Sequence, residues 1–173
     1  MATRKTAARK STGKRTASRK KSPARPRDAL ALLKADHKKV DELFKQFEKA
    51  RSTKRKQDLA SEICLELTVH AEIEEMHFYP ALRKAGNKKL AELLDEANVE
   101  HQSLKTLIAQ IEQGPSGDDL YDAKVTVLGE YVKHHVKEEE GEIFALARKT
   151  RLDLKALGET LSEEKDALLQ SSA

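Results

Sequence analysis

Residues 70–82 read HAEIEEMHFYPAL and residues 134–148 read HHVKEEEGEIFALAR, and the two stretches share one device. Each sets a histidine four residues ahead of a glutamate, His70 before Glu74 and His135 before Glu139. At 3.6 residues per turn this spacing stacks an imidazole and a carboxylate on one face of a helix. Working outward from each pair, the rest of the face is mostly apolar. Ile63, Leu67, His70, Glu74 and His77 share one stripe, and Tyr121, Val125, Leu128, Val132, His135, Glu139 and Leu146 another. Two more stripes carry one imidazole each: Leu33, His37, Val40, Phe44 and Phe47, and Leu90, Leu94, Ala97, His101, Leu104, Ile108 and Ile111.

These stripes predict helices over about 28–50, 53–84, 88–113 and 118–148, with a shorter one over about 153–170 from Leu154, Leu157, Leu161 and Leu168. Asp28, after Pro-Arg-Pro-Arg, is the expected first N-cap, and Pro80 is expected to bend or tighten the last turn of the second helix. Gly86-Asn87 and Gly114-Pro115-Ser116-Gly117 punctuate the chain between helices. The fold expected is all-α: an antiparallel up-down four-helix bundle with a short extra C-terminal helix and a disordered basic N-terminal tail. The corresponding division is 1–27 tail, 28–150 bundle and 151–173 C-terminal helix and end.

Burying an imidazole or carboxylate without a partner costs several kcal/mol. Two His/Glu pairs and two further histidines on core stripes therefore require mutual compensation, and alternating helix direction brings their levels together. Imidazole with carboxylate suits iron or zinc, and a carboxylate has two oxygens with which to bridge two ions. A metal centre is the chemistry this pattern asks for.

Composition supports a helical reading, with 38% hydrophobic residues but 4% aromatic. Cys64 is the single cysteine, so no intramolecular disulfide forms, and a reducing compartment is expected. No apolar run approaches the roughly 20 residues of a membrane span. The expectation is a cytoplasmic protein with no membrane partner and, through its tail, a nucleoid association.

The net charge of +4 conceals two unlike parts. Residues 1–27 hold eleven basic side chains and no acidic one, leaving 22 basic against 29 acidic residues, a net charge of −7, for 28–173. The segment MATRKTAARKSTGKRTASRKKSPARPR has Met1 as its one large apolar residue, so its composition predicts disorder. It resembles the basic tails of histones and bacterial histone-like proteins, and such density releases counterions from nucleic acid without reading sequence. A solubilising arm is the plainer alternative. A transit peptide ranks below both, because no Leu or Phe supplies an apolar face.

As an ordered set, Ala35-Asp36-His37 followed by Phe44, then HAEIEEMHFYPAL, Glu100-His101-Gln102 and HHVKEEEGEIFALAR resemble the hemerythrin-like HHE cation-binding domains. The resemblance covers about 28–148. It implies a four-helix bundle with a centre of two non-haem irons per chain. In that centre Glu74 and Glu139 would bridge, and His37, His70, His101 and His135 would be terminal ligands. It further implies a small ligand such as O2, NO or peroxide, or a role in sensing or handling iron. Any catalysis would be peroxide or nitric oxide chemistry at the metals. The alternative function is a nucleic-acid-associated protein acting through residues 1–27, with the bundle as scaffold.

Two positions depart from the oxygen-carrying members of that family. Lys105 stands four residues after His101, where those proteins have a second histidine, and a protonated amine cannot coordinate iron. The last carboxylate follows its histidine by four residues, as in the broader family, whereas five-residue spacing would select Glu140. One iron is thus short of a protein ligand, which argues against oxygen storage and leaves room for water, peroxide or a substitute side chain. Tyr121 and Tyr131 are candidates to approach that position, with core packing the default for both. His77 is a candidate further ligand, or an outer donor to Glu74, although the helical rise puts it some 10 Å from His70. His134 lies off the stripe and is read as an edge residue. Glu75, Glu138 and Glu140 are read as solvated charges, with Glu140 a reserve bridge, and Cys64 as a small buried hydrophobe. Glu74 and His77 also spell the E-x-x-H of ferritin-like proteins, but no second copy appears on a facing helix.

Overall fold

In the computed structural model, residues 28–114 and 119–171 are described. The expected tail and its nucleic-acid reading fall in residues 1–27, outside that range, as do Pro115, Ser116 and Gly117. The described residues form α1 (Ala29–Lys49), α2 (Thr53–Ile73), α3 (Tyr79–Ala85), α4 (Lys88–Gln113), α5 (Tyr121–Glu138), α6 (Phe144–Ala147) and α7 (Leu154–Ser171). Two π-helical turns, Glu74–Phe78 and Glu139–Ile143, splice α2 to α3 and α5 to α6.

The helix starts are set by short polar side chains. Asp28 accepts from the Ala31 amide at 2.8 Å, Ser52 from Arg55 at 3.3 Å and Asn87 from Leu90 at 3.0 Å, each satisfying an amide that the first turn leaves open. Pro80 sits in the first turn of α3. Of the bend or tightening expected there, the tightening is not found: the turn before Pro80 is a π turn, wider than a regular one. A proline has no N–H for the regular ladder, and a wider turn ahead of it absorbs the mismatch.

Two apolar clusters show the helix directions. One gathers the start of α1 (Leu30, Leu33), the end of α3 (Leu82), the start of α4 (Leu90, Leu94) and α6 (Phe144). The other gathers the end of α1 (Leu43, Phe47), the start of α2 (Leu59, Ile63), the end of α4 (Ile108, Ile111) and the start of α5 (Val125, Leu128). Successive long helices therefore run in opposite senses, an up-down bundle in which α1, α2, α4 and α5 close a ring. Phe78, the last residue of the first π turn, and Phe144, just after the second, meet edge to face at 5.9 Å in the first cluster. α7 lies outside the ring against α1 and α2. Its Gly158 allows that approach, since a Cβ there would stand 2.6 Å from the Ala29 nitrogen. Among the described residues no helix is long and apolar enough to cross a membrane.

Candidate metal centre

Between the two apolar clusters lies a layer of ionisable side chains. His37 comes from α1, His70 from α2, Glu74 from the first π turn, His101 from α4, His135 from α5 and Glu139 from the second π turn. All six are buried, with Glu74 at 0% and Glu139 at 1% exposure. Their donor atoms fall into two groups, His37/His70/Glu74/Glu139 and Glu74/His101/His135, sharing Glu74.

The Nε2 atoms of His37 and His70 stand 3.1 Å apart, and those of His101 and His135 3.2 Å. Glu139 Oε2 lies 3.2 Å from His37 Nε2, Glu74 Oε1 3.3 Å from His70 Nε2, and Glu74 Oε2 3.4 Å from His101 Nε2. Donors bound to a common ion at about 2.0–2.2 Å stand roughly 3.0–3.5 Å from one another, so these spacings fit edges of coordination polyhedra. The two imidazole pairs stand within hydrogen-bond reach, but the carboxylates are not satisfied this way: both oxygens of Glu139 and Oε1 of Glu74 have no hydrogen-bond partner. Buried carboxylate oxygens left open in this way ask for a cation. The residues present thus fit a metal ion in each group.

The charges agree. Burial and the adjacent Glu74 push Glu139 well above the usual carboxylate range. Burial acts the same way on Glu74, but His70 and His101 outweigh it and hold Glu74 well below that range. Burial opposes a charge on His70, yet Glu74 and Asp36 raise it to about 9. Burial and the charge on His70 lower His37 to about 4. The proton on His70 occupies the layer where a cation would otherwise sit, and the upward push on Glu139 shows how poorly that layer holds a second bare carboxylate charge.

Each imidazole turns its other nitrogen to an outer carboxylate. His37 Nδ1 lies 2.9 Å from Glu140, His101 Nδ1 3.0 Å from Glu75, His135 Nδ1 2.7 Å from Glu100, and His70 Nδ1 3.6 Å from Asp36. The arrangement is cyclic. Asp36 of α1 serves His70 of α2, Glu75 of the first π turn serves His101 of α4, Glu100 of α4 serves His135 of α5, and Glu140 of the second π turn serves His37 of α1. The three hydrogen-bonded partners fix ring orientation and leave Nε2 facing the centre, whereas the His70–Asp36 contact at 3.6 Å is longer than a hydrogen bond. Glu75 and Glu140, read from sequence as solvated charges, therefore have defined positions here.

Tyr79, absent from the sequence candidates, reaches the second group. Its hydroxyl donates toward Glu74 Oε2 at 3.3 Å and stands 3.4 Å from His101 Nε2. Burial and Glu74 raise its phenol well above the usual range, so it is neutral here. Its signal in the sequence is the position five after Glu74, a spacing that a π turn puts on one face. Tyr121 is buried in the far apolar cluster and Tyr131 is exposed, so neither takes this place. Lys105 bonds both oxygens of Glu75 at 2.7 and 2.8 Å. His77 is not brought to the centre; its Nε2 lies 3.4 Å from Glu164 on α7. Cys64 is buried, and burial pushes its thiol up to about 12.

A cavity of about 20 Å³ adjoins the four imidazoles, floored by Val40, Leu67, Leu104, Ile108 and Val132. It has room for about one water-sized molecule.

Comparison with known proteins agrees with this geometry. A protein of Nostoc sp. (strain PCC 7120) named DNA nickase is 34% identical over 119 residues, covering 68% of this chain. The match covers 32% of that protein, so the chain spans about a third of its length. The crystal structure of a hemerythrin HHE cation binding domain-containing protein from Mycobacterium kansasii shares the fold, with a TM-score of 0.71 at 22% identity over 83% of this chain and 88% of that one. Residues 28–147 match the hemerythrin family, described as the hemerythrin HHE cation binding domain. The chain belongs to the hemerythrin HHE cation-binding family, and its function includes binding metal cations.

Proposed function

We propose that the centre holds two non-haem irons and binds or reacts with a small oxidant, O2, NO or peroxide. His37, His70, Glu74 and Glu139 would hold one ion and Glu74, His101 and His135 the other, with Glu74, which both groups share, as a bridge; the family resemblance makes Glu139 the second bridge. The observation that carries this reading is the carboxylate pair: three of its four oxygens lack a hydrogen-bond partner in a buried layer. Imidazole and carboxylate donors suit iron. The Tyr79 hydroxyl is the donor proposed for the position that Lys105 vacates, since its 3.3 and 3.4 Å contacts fit a shared coordination sphere.

When bound, an iron pair supplies one-electron redox steps and a coordination position for a diatomic or peroxide ligand. The chain supplies the rest. The outer carboxylates hold the imidazoles in one orientation, the aliphatic floor keeps bulk water away, and a cavity of about 20 Å³ limits the ligand to a few atoms. A role in sensing or handling iron would use the same residues.

The test is to mix the anaerobic ferrous protein with O2, NO or hydrogen peroxide and follow iron absorption by stopped flow. Ligand-dependent changes are expected in the native protein and none in His70→Ala or His135→Ala. Identical traces from the alanine variants would overturn the assignment.

A second reading rests on the eleven cations of residues 1–27, which would attach the bundle to nucleic acid. It requires salt-sensitive DNA binding that disappears on deletion of those residues; equal binding by the shortened chain would refute it.

A further inference from the structure

We infer that Glu100, His134 and Glu138 form a third cation site, on the surface seam of α4 and α5, that captures a ferrous ion on its way to the buried centre. The capture site stands on its own geometry; delivery to the centre rests on the proposal that the centre binds iron.

The geometry is that of a ligand set. His134 Nε2 lies 3.3 Å from Glu138 Oε1 and 3.6 Å from Glu100 Oε1. The second distance is beyond a hydrogen bond, and both lie near the spacing of donors on one ion. His134 and Glu138 are a further H-x-x-x-E pair, one residue ahead of His135 and Glu139 and so turned toward the outside of the bundle.

A second observation comes from the outer carboxylates. Three of the four have a lysine: Asp36 with Lys165 at 2.6 Å, Glu75 with Lys105 at 2.7 Å, and Glu140 with Lys34. The fourth, Glu100, meets no lysine among the described ion pairs. It faces the imidazoles of His135 and His134, with Glu138 beside the latter. Where the other three positions carry a built-in cation, this one presents two carboxylates and an imidazole, the donors that a divalent cation completes.

The position suits capture. His134 is 64% exposed and Glu100 26%, so a hydrated ion reaches the imidazole first and the inner carboxylate next. A cleft of about 10 Å³ then separates Glu100 and Glu138 from Glu139, with Glu96 and His135 also on its walls. Glu139 is the residue whose two oxygens have no hydrogen-bond partner. Transfer is ligand exchange alone: the ion trades water and surface carboxylate for Glu139 on the inner wall of the cleft, stays ferrous throughout, and the displaced water leaves by the seam.

The experiment uses the full chain, untagged and stripped of metal, with Co(II) alone as the first probe. Calorimetric titration should show a weaker third equivalent beyond those of the centre, lost in His134→Ala/Glu138→Gln. The His70→Ala/Glu74→Gln chain, whose changed residues belong to the centre and pair with none of the three surface residues, should keep that surface equivalent even if the centre is destroyed, so the new site and the centre fail separately. With limiting ferrous ion, uptake by His134→Ala/Glu138→Gln should be about tenfold slower at the same final iron content. The single variant His134→Gln, at a mostly exposed position, repeats the measurement should the double variant unfold. A third equivalent unchanged in these variants would overturn the site, and unchanged uptake would overturn its role in delivery.

Discussion

His135 Nδ1 lies 2.7 Å from Oε2 of Glu100, and Glu100 is the sequence neighbour of His101, an imidazole of the same centre on another helix. Glu140, beside Glu139, holds His37 in the same way, and Glu75, beside Glu74, holds His101, whereas Asp36, beside His37, stands 3.6 Å from His70 Nδ1, too far for a hydrogen bond. Three of the four rings are thus oriented from a neighbouring helix, and the bundle must close for any of them to be held.

That coupling is testable at a link open to solvent. Glu140→Ala leaves His37 without its outer partner and is expected to weaken metal binding about 10–100-fold. Competition with a chelator measures it, and Glu142→Ala, two residues on and exposed, should be neutral. Equal affinities for both variants would show that the contact does no orienting.

Lys165 ties α7 to this belt. Its Nζ lies 2.6 Å from Asp36 and 3.7 Å from Glu66, with side-chain exposures of 16%, 11% and 6%. Lys165→Met removes the cation from the nearly buried Asp36, while Glu66 keeps Lys39 at 2.6 Å, and should cost on the order of 2–3 kcal/mol in urea unfolding of the metal-free protein. Lys165→Arg should recover much of it. A loss under about 0.5 kcal/mol would place the pair among ordinary surface contacts.

Gly158 is the other tie. An alanine Cβ there meets the Ala29 nitrogen at 2.6 Å and the Asp28 carbonyl carbon at 2.7 Å, backbone atoms that cannot swing aside. Gly158→Ala should destabilise the fold by about 1–3 kcal/mol, despite the higher helix propensity of alanine. An unchanged or raised melting temperature would contradict the close packing of α7.

The pH dependence has a definite sign. In the metal-free protein His70 is raised from 6.5 to about 9, so its contribution to stability is complete below pH 6.5 and is lost as the pH rises to about 9. Glu139, raised above 4.5, loses its contribution in the same direction. His37, lowered to about 4, acts oppositely, costing stability as the pH falls from 6.5 toward 4. The metal-free protein should therefore be less stable at pH 9 than at pH 6.5. Because metal must displace the proton that His70 carries at pH 7, loading at that pH should release at least one proton per chain. Indicator-dye measurements showing no release would contradict the protonation assigned here.

The fold was readable because each long helix carries its own stripe. The stripe residues of α4, from Leu90 to Ile111, are all buried, and those of α1 are buried except for the partly buried Phe44. The His/Glu layer was readable for the same reason, since polar interruptions of an apolar face stand out. The outer carboxylates were not. Asp36, Glu75, Glu100 and Glu140 each lie about 100° round the helix from a centre residue, and their value appears only once the neighbouring helix is known. The π turns were hidden as well: His70 to Glu74 lies before the extra residue, so the spacing that betrays the site is unaffected. Residues beyond the extra one are rephased, bringing Tyr79 over Glu74 and turning His77 to Glu164. A helix of strictly 3.6 residues per turn puts His77 on the core stripe and gives Tyr79 no place at the centre.

Tyr79→Phe isolates the hydroxyl. The variant keeps the ring that stacks on His101 at 5.5 Å, so the fold should persist. Ferric protein should lose a visible absorption band arising from phenolate bound to iron, with iron content little changed. A spectrum identical to the native one would remove Tyr79 from the ligand set.

The most direct test is metal content per chain, by elemental mass spectrometry on untagged protein purified without chelators, beside His70→Ala and His135→Ala. The account expects about two irons in the native chain and a marked loss in both variants. Native protein that takes up no metal after anaerobic ferrous reconstitution, or variants that keep the native content, would contradict it.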